Sequence, residues 1–75
     1  VQDLWIANHR QSILTFAREC RTNIAHDPEE WSNILNLCEE YELYAIEHSV
    51  RNGVVRENTR YIRELYQQLS REHRI

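Results

Sequence analysis

The sequence predicts an all-α domain, a three-helix bundle with a long central helix, and three observations carry that expectation. One glycine and one proline in 75 residues leave little material for the turns that a sheet needs. Glu, Arg, Leu and Ile are the commonest residues, a composition that suits helices. The stretch from Asp27 to Gly53 is bracketed by helix start and stop signals. Asp27 can accept a bond from the unpaired backbone N–H groups of a first turn, Pro28 needs no N–H there, and Glu30 completes a capping-box pattern. Gly53 offers the left-handed residue that closes a helix.

Helix 1 is expected from Asp3 to Thr22. Asp3 suits the positive end of the helix, and Arg18 and Arg21 suit the negative end. Ile6, Ile13, Phe16, Ala17 and Cys20 recur at helical spacing and mark one buried face. Residues 23–26 form a connection, with Ile24 as its apolar plug. Helix 2 carries a main stripe of Trp31, Ile34, Leu35, Cys38, Tyr41 and Ala45, and Leu37, Tyr44 and His48 add a second flank. An apolar arc this wide touches two neighbours, which puts helix 2 in the centre. Asn33, Asn36, Glu40 and Glu47 are expected to face solvent. Asn52-Gly53 is a turn signal, and helix 3 is expected to start near Arg56, or later if Asn58 or Thr59 is its cap. Its stripe is Val55, Thr59, Ile62, Leu65, Tyr66 and Leu69.

Residues 1–75 make one helical domain. A chain of this size buries only about 60% of its unfolded surface, so a partner subunit is a natural source of extra stability. The chain begins at Val1 and contains no methionine, which reads as a trimmed or excised piece. No apolar run approaches the roughly 18 residues of a membrane span and no signal-peptide core is visible, so the expected setting is cytoplasmic, with no membrane contact from these residues.

The net charge of −3 gives no global field for nucleic acid. The distribution is uneven. Residues 28–49 hold six glutamates and no Arg or Lys, and residues 50–75 hold six arginines against three glutamates. The first expectation is that helix 3 packs antiparallel to helix 2 and the charges pair across the seam. Arg56, Arg60 and Arg63 stand at i, i+4 and i+7, a stripe that could hold phosphate, with Glu57 and Glu64 interleaved. Nucleic acid is therefore the less favoured partner. Cys20 and Cys38 both fall on apolar stripes and read as small buried hydrophobes, with a bridge between helices 1 and 2 left open. No residues stand at metal-ligand spacing, and no Gly-rich loop or nucleophile–base pattern exists, so neither metal nor cofactor is expected.

Two resemblances attach to particular residues. Arg21-Thr22-Asn23-Ile24-Ala25-His26 reads Arg-x4-His at a helix junction. It resembles the Arg-x(4–6)-His motif of the helical RNases of the higher-eukaryote-and-prokaryote-nucleotide-binding family, whose domain is usually longer. Over these six residues the resemblance implies a dimer cleft that cleaves RNA without a metal, with Arg21 holding phosphate and His26 handling protons. Ile34-Leu35-Asn36, Glu39, Glu40, Tyr44, Ile46, Gly53 and Val55 are similar to a pattern in small helical bacterial and prophage proteins of uncharacterised function. That resemblance spans about half the chain and implies a fold without an activity. It departs where an acidic or small polar cap is common after the turn and Arg56 stands instead.

The expected function is a non-catalytic helical interaction module, of bacterial or phage type, that self-associates as a homodimer or docks on a protein. Trp5, Leu14 and Tyr61, large side chains off the main stripes of helices 1 and 3, are its expected contact surface. The alternative is a dimeric metal-independent RNase, or its inactive relative, using Arg21 and His26.

Overall fold

The computed structural model describes residues 2–49 and 53–73. The Asp3 side chain and Asn52 of the expected turn lie outside the described residues. Among the described residues three helices form and no strand does: α1 (Gln2–Arg21), α2 (Pro28–Glu47) and α3 (Gly53–Arg71).

The first connection follows from local chemistry. At the end of α1, Asn23 takes a left-handed conformation (φ 64°). The Ile24 N–H then donates to the Glu19 carbonyl at 2.9 Å and the Asn23 N–H to the Cys20 carbonyl at 3.1 Å, a Schellman closure with asparagine in place of glycine. The chain reverses there and α2 starts on a complete capping box. The Glu30 N–H donates to the Asp27 carboxylate at 2.7 Å, and the Asp27 N–H donates to the Glu30 carboxylate at 3.1 Å. Asp27→Ala removes one partner of this pair and is expected to cost about 1 kcal/mol. Urea denaturation followed by circular dichroism measures that loss.

The end of α2 differs from expectation. The helix stops at Glu47 and is 20 residues long, the same length as α1. Ser49, not Gly53, takes the left-handed conformation, at φ 52°. The His48 N–H still reaches the Tyr44 carbonyl at 3.0 Å, so the helix closes without a glycine. Gly53 has no positive φ and is the first residue of α3. That helix therefore begins three residues before Arg56. Asn58 and Thr59 do not cap it. Both are buried, and each turns back onto its own helix: the Asn58 amide donates to the Val54 carbonyl and the Thr59 hydroxyl to the Arg56 carbonyl, both at 2.8 Å.

The helices pack antiparallel in sequence order. Trp5 meets Tyr44 and Phe16 meets Trp31 along the α1–α2 pair, and Trp31 meets Tyr66 between α2 and α3. The expected stripes form the core, with Ile13, Ala17, Cys38 and Ile62 wholly buried. Helix 2 is not the centre. α1 packs extensively on both other helices, and α2 and α3 meet each other over less surface. Ile24 is not a plug: it is 51% exposed, because the left-handed turn at Asn23 carries it outward.

The bundle measures 37 × 19 × 18 Å, so its two ends are well separated. One end carries the α1–α2 connection. The other carries the start of α1, the end of α2 and the start of α3.

Candidate functional site

The α1–α2 corner gathers the densest chemistry. The Schellman turn carries the chain away from α1, and residues 25–27 bring it back, so that His26 lies over the last turns of α1. Its ring stacks on Phe16 with centroids 4.0 Å apart and meets the edge of Trp31 at 6.1 Å. The side chain is only 3% exposed, and its Nε2 lies 2.9 Å from the Glu19 carboxylate. An ionised carboxylate only accepts, so Nε2 carries a proton there. In the neutral ring this leaves the Nδ1 lone pair facing the Cys20 thiol, with Nδ1 and Sγ 3.9 Å apart. Burial, reinforced by the Glu19 charge and opposed by Arg21, pushes the Cys20 thiol up to about 11.

These groups open on a cavity of about 390 Å³ lined by Cys20, Ile24, His26, Trp31, Tyr61 and Leu65. Arg21 stands at the same corner, its guanidinium carbon 4.5 Å from the centre of the Tyr61 ring, a cation–π contact across the α1–α3 seam. Arg21 is exposed and the His26 ring is enclosed, so any substrate phosphate reaching both would have to enter by the cavity.

The three arginines of α3 do come together. Arg56, Arg60 and Arg63 line a groove of about 370 Å³ with Thr59, Glu42 and Glu64. Arg63 forms an ion pair with Glu42 of α2, which among the described residues is one pair of the general charge pairing expected across the seam. Arg60 stands 3.9 Å from Glu57, and Arg56 has no ion pair among the described residues. Three carboxylates within or beside the groove offset much of its positive field.

The expected contact residues divide. Trp5 is 36% exposed and lies in a run of rings, with His9 at 3.9 Å and Tyr44 at 5.3 Å; Tyr44 in turn stacks on His48 at 4.0 Å. Nε2 of His9 also lies 3.0 Å from the Glu40 carboxylate. Leu14 and Tyr61 are half-buried. The large apolar side chains most open to solvent are others: Ile46 at 74%, Leu4, Val54 and Leu43. With Trp5 they occupy the end of the bundle opposite the His26 corner. Leu43 and Ile46 stand three residues apart on α2 and so share a face.

No family model, curated protein or solved structure matches the chain.

Among the described residues no group of three His, Cys, Asp or Glu is arranged to hold a metal ion, and no helix is long and apolar enough to cross a membrane. Both thiols are free, Cys38 wholly buried on α2 and Cys20 half-buried at the corner. Sequence reasoning passed over Glu19, the partner that orients His26. The signal that could have found it is Asn23, the residue type after glycine most suited to a left-handed helix stop, which folds the chain back over the last turns of α1. Leu43 and Ile46 were also missed as surface residues, since apolar identity alone does not separate a second buried flank from an exposed face.

Proposed function

We propose that the chain is a non-catalytic interaction module that self-associates, or docks on a protein, through the end of the bundle that carries Trp5, Leu43, Ile46 and Val54. The observation that carries this reading is the gathering of five of the six exposed large hydrophobic side chains, among the described residues, at that one end. Apolar surface left in water at one place on a small domain is stabilised when a partner covers it. The expected role of Leu14 and Tyr61 is secondary to these residues, since both already spend part of their surface inside the bundle. Two unbridged thiols are in keeping with a reducing, cytoplasmic setting. A bacterial or phage origin rests on the half-chain resemblance.

Ile46→Glu places a charge where burial is expected in the complex but not in the free chain. Sedimentation equilibrium across a concentration series is the test. A dimer in the parent chain and a monomer for Ile46→Glu, with unchanged helix content, is the expected result. A chain that stays monomeric throughout removes self-association, and one whose dimer survives the substitution removes this end as its interface.

The RNase reading is the alternative. What favours it is that Arg21 and His26 occupy one corner, with Glu19 holding the imidazole in a single tautomer, an arrangement suited to proton transfer. RNA integrity after incubation with the parent chain and with His26→Ala separates the two classes. Phosphate binding by Arg56, Arg60 and Arg63 instead predicts RNA retention that weakens steeply with salt.

A further inference from the structure

We propose that the α1–α2 corner is an acyl-acceptor site, in which Cys20 takes an acyl group from an apolar acyl thioester with His26 as its general base. Three observations meet at this place. A nucleophile, a base and an orienting group stand in series: Cys20 Sγ, His26 Nδ1 at 3.9 Å, and Glu19 at 2.9 Å from His26 Nε2. The thiol contact is long for a hydrogen bond of this kind, as it often is before a substrate is bound. The series opens on a cavity of about 390 Å³, within the ordinary range for a small-ligand site. Ile24, Trp31, Tyr61, Leu65 and Leu69 give the cavity an apolar side that suits a short hydrocarbon chain, and Asn23 and His26 give it a polar side that suits the thioester carbonyl.

The chemistry balances without a cofactor. Cys20 Sγ forms a bond to the thioester carbonyl carbon as its proton passes to His26 Nδ1. The tetrahedral adduct then collapses, the bond to the departing sulfur breaks, and the leaving thiolate takes the proton from Nδ1. One thioester is exchanged for another, and nothing is oxidised or reduced. Glu19 stabilises the imidazolium formed between the two steps. Because the resting thiol is protonated well above neutral pH, the base has a task that a preformed thiolate would not leave it.

Cys38 is a built-in control. It is wholly buried, its thiol is likewise pushed up to about 11, and none of the hydrogen bonds or ion pairs at His26 involves it. The folded chain would be incubated with the butyryl thioester of N-acetylcysteamine, and acylation of each cysteine followed by peptide mass spectrometry. Cys20 is expected to react at least about tenfold faster than Cys38, which lacks both a base and access to solvent, so the share of the base is read from His26→Gln. In His26→Gln the Cys20 rate is expected to fall by about tenfold or more while the Cys38 rate is unchanged. Equal rates at the two thiols in the parent chain would overturn the proposal, as would a Cys20 rate indifferent to His26→Gln. Should His26→Gln loosen the bundle, the Cys38 rate will rise, and the decision passes to the pH profile of the parent chain. A Cys20 rate that is level between about pH 8 and 9 marks the imidazole as the base. A rate climbing roughly tenfold per pH unit marks an unassisted thiol and refutes it.

Discussion

Trp31→Ala is expected to cost about 3–5 kcal/mol, enough to leave much of the population unfolded at 25 °C. Trp31 is 2% exposed and sits where all three helices converge. Its ring meets Phe16 of α1 edge-on at 4.8 Å, Tyr66 of α3 at 5.7 Å and the His26 ring at 6.1 Å. Truncation removes the largest apolar side chain of the core and leaves a void that three different elements would have to close together. A 75-residue chain has only about 4–11 kcal/mol of stability in total, so the loss is a large part of it. Trp31→Phe keeps a ring in place and is expected to cost far less. Far-UV circular dichroism through a urea titration measures both variants. A Trp31→Ala midpoint close to that of the parent would mean that the α1–α2 corner is not held by this residue. The same result would weaken the cavity beside it as a formed site.

Much of this arrangement is written in the sequence, and the misses have physical causes. The start of α2 was legible because Asp27, Pro28 and Glu30 act within one turn, where chemistry and position are the same thing. Its end was not, because Gly53 permits a left-handed residue without requiring one. Ser49 accepts that conformation at modest cost once the chain is already turning. Asn58 and Thr59 misled for a related reason. Their side chains can bond either the backbone N–H groups of a new helix or the carbonyls of the preceding turn, and only the packing of α3 decides between them. The stripes of all three helices were readable from spacing. Which helix sits in the middle was not, since that depends on which pairs of stripes allow the closest approach. The corner site illustrates the same limit. Arg21 and His26 were singled out as a pair, but the groups that engage His26 are Glu19, Cys20 and Phe16. They stand six to ten residues before it and are brought there by a turn closed on an asparagine.

Cys38 gives the bundle a stability that weakens in alkali. Its thiol is wholly buried on α2, and burial raises it from 9.0 to about 11, opposed by Arg63 and reinforced by Glu42. Between those two values the unfolded chain has released the proton and the folded chain still holds it. The unfolded state then binds fewer protons, so stability falls as pH rises through this window and levels off above it. The loss attributable to Cys38 is on the order of 2–3 kcal/mol. Cys20 shifts in the same direction, but it is only half-buried and solvent screens its share. Cys38→Ala isolates the effect. At about pH 8 the variant is expected to be less stable than the parent, because it leaves a small void. By about pH 11 the difference is expected to shrink or reverse, because only the parent then has a buried thiol to ionise. Urea midpoints for both chains across that range provide the comparison. A constant gap between them would show that the thiol ionises as readily in the bundle as in water. Cys38 would then lie in a looser interior than a wholly buried position at the centre of α2 implies.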